Sequence, residues 1–83
     1  MKIKSNIAIS DNGFVFNPLT GESFTANPTG LEIINSMRRG VSSAQIIENL
    51  CSTFQVEPTQ AERDLQDFTE MMRQYHLLSY DEE

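Results

Sequence analysis

The Asp11-Asn12-Gly13 turn restricts this chain more than any other feature. Ile7 and Ile9 precede it, Phe14 and Phe16 follow it, and alternating apolar residues around Asn-Gly are the strongest short-range signal for a β-hairpin. A two-residue turn at Asn12-Gly13 predicts Ile9 opposite Phe16, with Ile7, Ile9, Phe14 and Phe16 on one face of the sheet. Leu19-Thr20-Gly21 predicts a second hairpin, because Gly suits the left-handed last position of a three-residue loop. That register sets Phe16 opposite Phe24, with Pro18 at the flank and Ala26 continuing the apolar face.

Asn-Pro then recurs with a different outcome. At Asn17-Pro18 it flanks a turn, whereas Asn27 is a preferred N-cap, Pro28 a preferred first helical residue, and Leu31, Ile33, Ile34 and Met37 follow at helical spacing. Gly40 supplies the stop, with Arg38 and Arg39 in the last turn beside the carbonyl end of the helix dipole. Ser42 and Gln45 form a capping-box pair ahead of Ile46, Ile47, Leu50 and Phe54, which predicts a second helix. Thr59 and Glu62 repeat that pattern for a third, whose apolar stripe is Ala61, Leu65, Phe68, Met72 and Tyr75. Leu77 and Leu78 can return to the core as a short extended piece, and residues 81–83 read as a flexible acidic end. Three strands followed by three helices argue for an α+β fold with an antiparallel sheet, as one domain over residues 1–83.

A chain of 83 residues has little core to spend on an enclosed active site. Its one cysteine, Cys51, cannot form an internal disulfide, and one histidine leaves no Cys/His zinc set. The N-terminal segment lacks the apolar stretch of a secretory signal and no run approaches membrane-spanning length, so the expected compartment is the cytoplasm, with no membrane partner. A formal net charge of −6 opposes nucleic-acid binding, although Lys2, Lys4, Arg38 and Arg39 leave room for a local basic patch.

No nucleophile with a base, ligand cluster or phosphate loop occurs at a workable spacing, so the chain is expected to be no enzyme and to need no metal or cofactor. Cys51 reads as a small buried hydrophobe and His76 as a cation or cap at the end of the third helix. Asp64 and Asp67 read as a solvated helix face. Met71 and Met72 cannot face the same way; Met72 belongs to the core stripe, while Met71 sits on a flank where a thioether can pack against varied peptide side chains. A three-stranded sheet also has two open edges, and an edge beside a helix can accept an extended peptide as an added strand.

The run from Leu19 to Ile34, then Gly40-Val41-Ser42-Ser43, Ile46 to Leu50, Phe54-Gln55-Val56, Asp64 to Phe68 and the closing Leu77-Leu78 together resemble PqqD-like proteins. The resemblance covers most of the chain from Phe14 onward. It implies a winged-helix-like RiPP recognition element, a non-catalytic chaperone that binds the leader segment of a ribosomally made precursor peptide. It also implies a modifying enzyme as second partner, often a radical SAM enzyme. By resemblance the leader adds beside the third strand, at Glu22, Ser23, Phe24, Thr25 and Ala26. It lies against the third helix at Asp64, Leu65, Phe68 and Met72, with Met71 added here from its flank position. Two positions depart from the family: His76 stands where Gly is common, and Ile34 where many relatives have Trp. A monomer or weak dimer is expected. The competing reading is a winged-helix regulator that binds nucleic acid, which the charge disfavours.

Overall fold

A computed structural model describes residues 2–79, without the side chains of Lys2 and Ser79; the acidic end expected at 81–83 lies outside the described residues. The expected α+β order is present. Strands β2 (Ala8–Ile9), β3 (Phe14–Asn17) and β4 (Glu22–Thr25) form an antiparallel sheet in that order, and helices α1 (Pro28–Arg38), α2 (Ser43–Phe54) and α3 (Pro58–Gln74) follow. A separate two-stranded ladder pairs β1 (Lys2–Ile3) with β5 (Leu78–Ser79), so the Leu77-Leu78 return leads into a short strand at Leu78, and both leucines are buried.

Both hairpin loops are one residue longer than expected, and the register moves with them. The first loop is Asp11-Asn12-Gly13: the Ser10 N–H donates to the Phe14 carbonyl at 2.9 Å and the Gly13 N–H to the Ser10 carbonyl at 3.1 Å. Ile9 therefore faces Val15, and Ala8 faces Phe16. Ser10 explains the choice, since its Oγ accepts the Phe14 N–H and donates to Asn12 Oδ1, which holds Asp11 and Asn12 inside the turn. Gly13 is required twice over. Its φ is +94°, and a Cβ there would lie 2.5 Å from the Ala26 carbonyl oxygen, while its own carbonyl accepts the Ala26 N–H at 2.7 Å.

The second loop spans 18–21 and pairs Asn17 with Glu22, so Phe24 faces Val15 and not Phe16. A slip of one residue turns a strand over. The two slips cancel for the outer strands, leaving Ile9 and Phe24 on the core side, and overturn only β3. Val15 and Asn17 are buried, whereas Phe14 is 47 % exposed and Phe16 half-buried on the outer face. Asn17 lengthens the loop because its side chain is committed: Oδ1 accepts the Leu19 N–H at 3.0 Å, and Nδ2 donates to the His76 carbonyl at 3.3 Å. A buried amide with both ends bonded meets the requirement for burying a polar group.

The helices follow their sequence signals closely. Asn27 accepts the Gly30 N–H at 2.8 Å, and Pro28 opens α1. At its far end the Gly40 N–H bonds Met37 and the Val41 N–H bonds Ser36, the paired bonds of a Schellman motif. Ser42 caps α2 through the Gln45 N–H at 3.1 Å, but the Gln45 side chain turns to Asn49, so only half of the expected capping box forms. The Thr59 cap is a correction: α3 begins at Pro58, whose ring presets the helical φ, and Glu57 occupies the cap position without a side-chain bond. Ile33, Ile34, Ile46, Leu50, Ala61 and Met72 form the centre of the core, so Ile34 takes an anchoring position in spite of its departure from the family. Cys51, expected to be buried, is half-buried and packs against the core's edge.

Candidate functional site

β4 is an edge strand, with β3 on one side. Antiparallel pairs alternate between bonded and non-bonded positions, and the Ala26 N–H is already bonded to Gly13. Phe24 therefore directs its backbone polar groups to β3, and Ser23 and Thr25 direct theirs to the open edge. Ser23 and Thr25 are exposed, and Glu22 with them. Among the described residues these two donors and two acceptors have no neighbouring strand along about 7 Å of the edge.

Beside this edge lies an aromatic floor. The Phe24 ring meets Phe68 of α3 at 6.3 Å between centroids, edge to face, and Tyr75 at 5.0 Å with a 60° tilt. All three rings are half-buried. Phe68 can reach this position only because Gly30 lacks a side chain: a Cβ at Gly30 would sit 2.5 Å from the ring. Asn27, Gly30, Asp64, Asp67 and Phe68 then border a shallow cavity of about 200 Å³ between the start of α1 and α3. Gln60 donates to Asp64 at 2.8 Å, which holds that carboxylate along the rim.

The expected site residues separate into two groups. Phe24, Asp64 and Phe68 come together around the floor, and Met71, half-buried, shares their helix face at spacings of three and four from Phe68 and Tyr75. Leu65 points the other way, lining a cleft with Ile47 of α2, and Met72 is completely buried. Ala26 is also buried, so it ends the edge. Met72 packs in the core and Leu65 faces α2, so neither borders the cavity beside Phe68. Tyr75, expected on the core stripe, packs against the core and also faces Phe24, a pairing that depends on where β4 lies and that no local signal gives.

The end of α3 also supports the site. Tyr75 is the C-cap, and His76 follows with φ +61°, its N–H bonded to Arg73 while the Leu77 N–H bonds Met72. This is the helix end that glycine usually makes. His76 makes it here with a side chain in the left-handed region. Its Nδ1 lies 3.8 Å from Glu22 Oε1 at the start of β4. Among the described residues no group of three or more His, Cys, Asp or Glu could hold a metal ion, and no helix is long and apolar enough to cross a membrane.

Known proteins agree with this architecture. The sequence profile of PqqD, coenzyme PQQ synthesis protein D, matches residues 13–78. Among solved structures, TbiB1 in complex with the TbiA(beta) leader peptide is similar at 26 % identity and a TM-score of 0.85, with both chains covered completely. A lasso peptide synthetase B1 complexed with its leader peptide is similar at 25 % identity and a TM-score of 0.80, over 92 % of this chain and 93 % of that one. No curated protein matches the chain.

Proposed function

We propose that this chain, which belongs to the PqqD family, binds the leader segment of a ribosomally made precursor peptide and presents it to a modifying enzyme. The observation that carries the reading is the open β4 edge, with the Ser23 and Thr25 backbone groups outward, next to the Phe24, Phe68 and Tyr75 floor. A leader strand would pair with Ser23 and Thr25, and every second side chain would turn toward the aromatic rings, with Met71 at the rim. Main-chain bonds supply register there, and the rings supply selectivity for apolar or aromatic leader residues. Similar solved structures that hold leader peptides support this reading. The role is that of a binding module, acting in the cytoplasm as a monomer or weak dimer without a cofactor of its own.

Backbone amide shift mapping with the leader of the precursor encoded nearest this gene tests the proposal. Expected are shifts at Glu22 to Ala26 and at Asp64 to Tyr75. Thr25→Pro removes an outward N–H and should weaken binding at least tenfold, more than Thr25→Ala. Shifts confined to α2, with the β4 amides silent, would overturn strand addition at this edge.

A further inference from the structure

The two ends of α1 face different surroundings. Its start borders the aromatic groove, and its end, about 16 Å away along the helix, forms one wall of a second cleft of about 560 Å³ with the segment after β1. Three of the chain's six cations, Lys4, Arg38 and Arg39, line that cleft. Ile3, Ile7 and Met37 supply its apolar side. Arg39 is held by Glu32 at 4.0 Å and by Ser36 Oγ at 3.4 Å. Lys4 and Arg38 make no ion pair among the described residues, so within them this cleft gathers positive charge on a chain of net charge −6.

We propose that this cleft is a second docking site, which takes an acidic segment with an apolar side chain from a partner protein. The charge distribution carries the choice of occupant. A net-negative protein repels an acidic partner over most of its surface and attracts it at one end, so approach there is both favoured and oriented. The apolar wall requires more than a point anion. A nucleic acid is a poor match, because two or three cations neutralise few phosphates compared with the six to ten contacts of established binders. The proposal rests on the leader-binding reading in one respect: the cleft stays free while the groove at the other end of α1 is filled, so the partner best suited to it is the modifying enzyme.

The test uses an end-blocked peptide, Glu-Glu-Leu-Glu-Glu, with Lys-Lys-Leu-Lys-Lys as control, in amide shift titrations at low salt. The acidic peptide should give saturable shifts at Lys4, Ser5 and Arg38 to Gly40, weakening as salt rises. Lys4→Ala with Arg38→Ala should weaken it at least tenfold. Arg38→Gln alone, at an exposed position that should fold normally, should weaken it about threefold. Shifts elsewhere, undiminished binding in these variants, equal binding of the basic peptide, or tighter binding of a twelve-nucleotide oligothymidylate at the same amides would each overturn the proposal. The titration needs no leader peptide, so a leader that fails to reach β4 would refute the groove reading and leave this one standing.

Discussion

The sheet and the helices of this small fold were written into the sequence with different redundancy. In α1, α2 and α3 the burial of each apolar residue is supported by neighbours three and four positions away, so an error at one end moves a boundary and leaves the buried face unchanged. Thr59 shows this: the start of α3 moves to Pro58, and Ala61 and Met72 stay buried. In β3 the facing of every residue depends on the length of a loop. One additional residue in each of two turns exposes Phe14 and buries Val15 and Asn17. Two-residue periodicity reports that a strand exists; only its partner's register reports which side is in.

The largest test lies in the helical half. Leu50→Ala should cost about 3–4 kcal/mol in urea unfolding, since Leu50 is fully enclosed and a cavity would remain. A loss below about 1 kcal/mol would mean that the helical core is looser than its burial shows. Within β3 the two registers predict opposite rankings. Val15→Ala should cost about 2 kcal/mol and Phe14→Ala less than about 0.5 kcal/mol, although phenylalanine loses far more surface. The reverse order in the same melts would restore the two-residue turn.

Smaller effects sharpen the comparison at the two helix ends beside the groove. His76→Gly should stabilise the protein by about 1 kcal/mol, because it removes the cost of a left-handed side-chain-bearing residue and gives up only an exposed contact with Glu22. An unchanged or lower melting temperature would show that the His76 side chain contributes more than its exposure suggests. Gly30→Ala should come out near zero, since a helix-propensity gain of about 1 kcal/mol opposes displacement of the Phe68 ring. Its signature is elsewhere: the ring resonances of Phe24, Phe68 and Tyr75 should move together, and leader binding should weaken about fivefold. Unmoved aromatic resonances would separate Gly30 from the groove floor.

Much of the candidate site was legible because its parts are local. The third strand, the Asn27 cap and the α3 stripe each have a signal within four residues. Its surface was less legible, since Leu65 and Phe68 look equivalent on a helical stripe and differ only in what stands opposite. Leu65 meets α2, whereas Phe68 meets Phe24. Met71 is half-buried where Met72 is fully buried, because adjacent helical residues cannot share a face.

The amino-acid order alone determined the three helices, the β2–β3–β4 hairpins, the Asn27 and Ser42 caps and the net negative charge, all properties of neighbouring residues or of composition. Tertiary structure decided the rest. It secured the longer second loop through Asn17, whose side chain bonds the His76 carbonyl across 59 positions of chain. It aligned Phe24 with Tyr75 and gathered Lys4 with Arg38 at one cleft. These pairings join residues far apart in the chain. The physical reason is that a side chain's partner across a gap is set by the packing of whole elements, and no local pattern encodes that distance.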